Sequence, residues 1–381
     1  MRLAVYEWKK LLAFPALWAF LGLSLTFDLF LIAAKPAGLR AFFNETSAVT
    51  AVLGQRVDER FLEGLAAMPA TEERDMLLAS AAGMEDIFET YDAGVLADFY
   101  ADVMEGSPLA ARWMTWKYAL LAERVERLAE TDAAMDLYAG PATRSSHQFL
   151  FDTLFRSVLC EGLIAAMLAT LYLLGYEETR RTEGLVCSAR TGRRLRRIKV
   201  LAAAAASMAL YALLALCALA PYFLLYDYGG IWSASVSSQF NYLSDMLFRR
   251  PFLTWGDLTV AQYLAAALAL GAALTAVFSL MAAVFAALTP DSYLAALALG
   301  VMSVGGVGLA SVLGTVGWWT AFALACFHPA MVWLYCGAWF TELGLDAVLP
   351  WQETVAVGLG LLAWGGGTVL ALRRLDRKDV L

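Results

Sequence analysis

Two carboxylates stand where carboxylates are costly. Asp28 lies near the far end of a long apolar run over residues 11–34, and Glu161 lies in the first half of another over 157–175. A charged side chain in the middle of a bilayer costs on the order of 3 kcal/mol, so such a residue marks a transport pathway, a relay or a paired ion. Asp28 and Glu161 are therefore candidates for a transport pathway. The plainer readings stay beside it: Asp28 is close enough to the end of its run to be solvated, and Glu161 could pair with Arg156 or carry a proton.

Other chemistry is hard to build from this chain. His147 and His328 are its only histidines and stand far apart, which argues against a histidine-based metal or catalytic centre. Of the five cysteines, Cys160, Cys217, Cys326 and Cys336 fall in apolar segments and Cys187 in a basic one, and none forms a metal-spaced pair. No glycine-rich loop ends in Lys-Ser or Lys-Thr, so the chain has no means of its own to bind ATP in the usual way. We expect no catalytic, cofactor or metal residues and no enzyme. Gly305-Gly306-Val307-Gly308 sits inside an apolar run and reads as close helix packing through small residues. Asn44-Glu45-Thr46 matches a glycosylation pattern too short to carry weight.

The segment Arg180 to Lys199, RRTEGLVCSARTGRRLRRIK, holds a different pattern. It is strongly basic and is flanked by two apolar runs that are each long enough to cross a bilayer. Positive loops remain on the cytoplasmic side, so this one sets the topology. Leu185, Val186, Leu195 and Ile198 recur among its arginines, as an amphipathic element lying on a membrane or a cytosolic partner would require. A solvated anchoring loop would look similar.

The elements that position these residues are membrane spans. The chain is 60% hydrophobic with a mean hydropathy of +0.61, well above ordinary soluble domains. Apolar runs at 11–34, 157–175, 200–225, 261–288, 292–313 and 354–372 are each close to the ~20 residues a span needs. The first is too long for a secretory leader and reads as retained. Before it, MRLAVYEWKK and Pro15 suggest an interfacial elbow helix. An even number of spans puts the basic loop and the basic tail on one side, with both termini cytoplasmic. Residues 317–341 are long enough to span but are crowded with tryptophan and broken by His328 and Pro329, so they read as a re-entrant segment on the outer side. Residues 35–148 are polar, acidic and free of cysteine. Thr71 before Glu72 and Glu73, and Ser107 before Pro108, mark helix starts, while Leu121, Val125 and Leu128 share one face.

We therefore expect an all-α polytopic membrane protein with an elbow helix and first span over 1–34, a helical extracytoplasmic domain over 35–148, and five further spans over 149–381 with a cytoplasmic loop at 176–199. The net charge of −7 comes largely from the outer domain and does not suggest nucleic acid. The basic residues face the cytoplasm and anionic lipid headgroups.

From Glu177 onward, EETRRTEGLVCSARTGRRLRRIKVLAA resembles the coupling segment of type-2 ABC exporter permeases, the type V exporter fold. The family places a glutamate after the second span, then a glycine, a leucine-rich stretch with Ser or Thr, a Gly-Arg turn, and a lysine leading into the third span. Glu177 or Glu178, Gly184, Leu185, Ser188, Gly192, Arg193 and Lys199 stand in those places. The family often has Gly-Thr where this chain has Gly184-Leu185. The likeness extends to the elbow, the large outer domain, the six spans and the outer aromatic segment before the last. It implies a permease subunit in a bacterial plasma membrane that pairs with a second permease copy and with separate ATPase subunits, which bind ATP and Mg. An ATP-independent transporter, or a sensor with an outer helical domain, is the competing class.

Overall fold

A computed structural model of the chain describes residues 2–140, 143–182, 192–244 and 249–377. Helices begin where the sequence supplies side-chain caps. Asp58 accepts from Phe61 N at 2.8 Å and Asp92 from Gly94 N at 2.7 Å. Thr71 accepts from Arg74 N at 3.1 Å. Thr259 and Gln262 close a reciprocal capping box, and Asp291 accepts from Leu294 N at 2.8 Å. Each satisfies a backbone donor that a helix start otherwise leaves open.

In chain order the helices are α1 (Arg2–Leu12), α2 (Pro15–Ala33), α3 (Ala37–Leu53), α4 (Glu59–Ala67), α5 (Glu72–Ala81), α6 (Ile87–Thr90), α7 (Ala93–Val103), α8 (Pro108–Glu130) and α9 (Thr143–His147). A π-helical stretch, Gln148–Leu154, leads into α10 (Phe155–Thr179). Then come α11 (Gly192–Leu225), a two-stranded antiparallel hairpin of β1 (Tyr242–Ser244) and β2 (Arg249–Pro251), α12 (Val260–Leu288), α13 (Ser292–Thr315), α14 (Trp319–Ala325), α15 (Pro329–Leu334) and α16 (Gln352–Arg377).

Among the described residues, six helices are long and apolar enough to cross a membrane: α2, the rod Arg144–Thr179, α11 from Leu195, α12, α13 and α16. The chain is thus an all-α multi-pass membrane protein by architecture, with the small hairpin as a departure the sequence did not announce. Leu372 near the end of α16 packs in one apolar cluster with Val200 at the start of α11 and Ala283 of α12, against Leu174 of α10. The carboxyl-terminal helix therefore finishes at the same end of the bundle as the loop between α10 and α11. We call this the terminal end and the opposite one the domain end.

Between helices, small residues allow close approach. Tyr211 of α11 is buried between two glycines: a Cβ on Gly162 would stand 2.7 Å from the tyrosine ring, and one on Gly271 would stand 2.3 Å from its hydroxyl. A methyl group fits at neither position without moving a helix. In the Gly305–Gly308 run the packing role falls on Gly306 alone, whose Cβ would collide with the His328 ring, while Gly305 and Gly308 face open space.

The region 35–148 is helical, as expected, with α8 contributing Leu121, Val125 and Leu128 to a buried face. Pro108 does start α8, but the Ser107 side chain does not cap it; its hydroxyl meets Thr320 of α14 at 3.1 Å instead. The same helix docks the region onto the bundle through buried charge. Lys117 donates to the carbonyls of Glu342, Gly344 and Ala347 at 2.6, 2.7 and 2.7 Å. Glu342 faces Arg250 at 2.6 Å and accepts from Tyr118 at 2.9 Å. Arg124 donates to the carbonyls of Thr254 and Gly256 at 2.8 and 3.0 Å. Burial pushes the Lys117 ammonium down to about 8. Burial by itself would raise the Glu342 carboxyl, but Arg250 and Lys117 outweigh it and hold it below its ordinary value.

The aromatic stretch after α13 is two short helices, seven and six residues long, each too short to cross a bilayer alone. Its tryptophans range from buried to exposed. Trp339 is fully buried and donates to the Val332 carbonyl at 2.9 Å, whereas Trp318 is 67% exposed.

Candidate functional site

Two clusters of polar residues are built into the helices that flank the basic loop. The first lies at the terminal end. Glu177 in the last turn of α10 is buried and takes two cations, Lys199 from the start of α11 and Lys10 from α1 at 2.9 Å. Lys10 also holds Glu7 at 2.8 Å, one turn back on α1, and Lys199 donates to the Leu173 carbonyl at 2.7 Å. Two acids and two lysines so form an alternating chain that binds three helices together. Apolar and aromatic contacts reinforce it: Phe14 stacks on Tyr172 at 4.0 Å, and the Lys10 ammonium lies 4.6 Å from the Tyr176 ring centre. Removing one member of a buried ion cluster leaves its partner uncompensated, at a cost of about 3 to 5 kcal/mol.

The arrangement separates the sequence candidates. Glu177 and Lys199, 22 residues apart, are brought together; Glu178 is exposed beside them. Gly184, Leu185 and Ser188 lie outside the described residues. Gly192 and Arg193 begin α11, and their side chains lie outside the description as well. Glu7 and Lys10 were missed by the sequence reading. Their only signal is one glutamate in an otherwise basic amphipathic helix, three residues ahead of a lysine, where side chains meet on one face.

The second cluster lies deeper in the bundle. Along α2 the buried residues are Leu17, Leu21, Ser24, Asp28 and Ile32, a single stripe at helical spacing that faces α10 and α11. Asp28 is fully enclosed, and its carboxyl is a neighbour of Ser157 and Glu161 on α10. Ser157 donates to Glu161 at 3.4 Å. This corrects two of the plainer sequence readings. Asp28 is not solvated, because its stripe turns inward, and Arg156 does not pair with Glu161, because it forms an i,i+4 ion pair with Asp152 on the other side of the rod. The two carboxyls are neighbours instead, with the Ser157 hydroxyl beside them.

Within the described residues no group of three or more histidine, cysteine or acidic side chains could hold a metal ion. Cys160 and Cys217 are half-buried and Cys326 and Cys336 buried, all as free thiols. The geometry offers helix clamping at the terminal end and a buried acidic pair deeper in the bundle. No protein-family model matches the chain, and no curated protein or solved structure matches it.

Proposed function

We propose that the chain is the transmembrane permease subunit of an ATP-driven exporter of the type-2 ABC class. It moves an amphipathic, lipid-like or peptide cargo outward, and ATP and Mg are bound by separate ATPase subunits. The observation that carries the reading is the terminal-end clamp. The glutamate and the lysine that bound the resembling segment meet each other and the amino-terminal helix. A loop held at both feet by one ion cluster can pass a push from a docked partner directly into α1, α10 and α11. The break between α1 and α2 at Ala13 and Phe14 suits an elbow helix lying along the cytoplasmic face. On this reading both termini are cytoplasmic, the region 35–148 is extracytoplasmic, and α14 and α15 form a re-entrant pair on the outer side. A second permease copy completes the transporter.

The test is co-expression with an ABC ATPase subunit encoded beside the chain. The permease reading expects a stable complex whose ATPase activity belongs entirely to the partner. Hydrolysis by the purified chain alone would sink it.

The Asp28–Glu161 pair favours a second reading, an ATP-independent transporter that moves an ion or proton past the two carboxyls. Cargo movement in vesicles depleted of ATP, abolished by Glu161→Gln, would select it over the first.

A further inference from the structure

At the domain end a cavity of about 600 Å³ opens between the start of the Arg144–Thr179 rod, the hairpin and the segment after α15. Arg144, Arg156 and Arg250 stand in its wall beside the apolar Leu243, Phe252 and Leu343. The charges are unequally met. Arg156 is paired with Asp152, and Arg250 with Glu342 from behind. Asp346, the other acid in the wall, accepts from Tyr335 at 2.8 Å. Arg144 is different: its Nη1 is enclosed and has no acceptor among the described residues. The exposed Arg249 lies near enough to repel it and Asp152 near enough to attract it, but Asp152 is engaged by Arg156. That guanidinium atom has no hydrogen-bonded anion among the described residues, and its planar fork suits two oxygens of one group.

We propose that this cavity binds a phosphate group, seated on Arg144 with Arg156 beside it, and that the apolar wall takes the stem to which the phosphate is attached. A phosphate fills a small part of 600 Å³, and a cavity of that size with a few convergent polar groups is typical of sites for larger organic ligands. Either a phospholipid headgroup or a free phosphate satisfies the arginines, and the apolar wall distinguishes the two. The proposal goes beyond the permease reading, since binding is measured on the chain alone with no ATPase present.

The full-length chain in non-ionic, phosphate-free detergent is titrated calorimetrically with dihexanoyl phosphatidic acid, with inorganic phosphate and with uncharged dihexanoyl glycerol. Phosphatidic acid is expected to bind and the glycerol lipid not to. Arg144→Gln is expected to weaken binding roughly tenfold or more, as the loss of a charge-assisted pair does. Arg127→Gln, on the exposed face of α8, leaves binding unchanged. Inorganic phosphate binding as tightly as the lipid supports the site with the free ion as its ligand; much weaker binding supports it with the headgroup. An unchanged unfolding midpoint shows that Arg144→Gln is folded. Should that variant fail to fold, Arg144→Lys keeps the charge without the fork and is expected to lose several-fold in affinity. Binding undiminished in the Arg144 variants, equal loss in Arg127→Gln, or no binding of either phosphate compound overturns the proposal.

Discussion

Replacing Lys117 by methionine removes an ammonium while keeping most of the stem that packs in the core. The structure sets the size of the effect. The group is fully buried, three backbone carbonyls accept from it at 2.6 to 2.7 Å, and the Glu342 carboxylate is farther away at 3.5 Å. Each orphaned buried acceptor costs about 1 to 3 kcal/mol, less what water entry and backbone relaxation recover. A total of about 3 to 5 kcal/mol follows, in the range for breaking buried charged networks. At a few degrees per kcal/mol the unfolding midpoint of the detergent-solubilised chain, followed by tryptophan fluorescence, should fall on the order of 10 °C. The distances add a sharper expectation. Because the carbonyls rather than Glu342 are the close partners, most of the loss should persist when Lys117→Met is made in a Glu342→Gln background. Asp75→Ala, removing an exposed partner of Arg74, should cost only about 0 to 1 kcal/mol. A Lys117→Met loss below about 1 kcal/mol, or one that vanishes in the Glu342→Gln background, would refute the reasoning.

Acid should weaken the same junction. Glu342 has its carboxyl held below the ordinary range, so its contribution is present above the unfolded value of about 4.3 and is lost as pH falls through the folded one; the midpoint of the unmodified chain should drop below about pH 4 more steeply than that of Glu342→Gln. Gly271→Val should disrupt the bundle by several kcal/mol because its Cβ meets the Tyr211 hydroxyl at 2.3 Å, and Tyr211→Ala should recover part of the loss in the double variant; no recovery would remove Tyr211 as the cause. Asp28→Asn should leave the unfolding midpoint unchanged or raised, since it relieves two carboxyls enclosed together, and a lowered midpoint would mean that the pair stabilises the bundle. Leu185→Asp should reduce co-purification of an ATPase subunit far more than Arg196→Ala, and equal recovery with both would leave the basic segment as a topological anchor only.

The membrane architecture was legible because spans are read from length and hydropathy, and those depend on local composition. All six runs recur as helices, and the acidic stretch between the first two is helical with caps at Thr71 and Asp58. What a span faces is another matter. Whether Asp28 meets water, lipid or Glu161 depends on the rotation of α2 about its own axis, which packing decides and one apolar segment cannot state. The clamp was half visible. Glu177 and Lys199 lie in a recognisable pattern, but Glu7 and Lys10 come from a helix more than 160 residues earlier, and only the fold brings them there. Lys117, Arg124, Arg250 and Glu342 gave no sequence signal at all, because a charged residue in a polar helix reads as solvated until its partner is known.

The rod from Arg144 to Thr179 has a mechanical meaning. Its 36 residues extend about 54 Å at helical rise, well beyond the ~30 Å of a bilayer core. One end contributes Arg144 and Asp152 to the cavity, and the other contributes Glu177 to the clamp. A strut of that length turns a small tilt at one end into a displacement at the other, without any chain of side-chain signals between them. Its one irregular place is the π-helical stretch at Gln148–Leu154, where wider hydrogen-bond spacing departs from the regular helix. The regular helix of α10 thus joins the clamp to an irregular stretch that lies beside the arginines of the cavity.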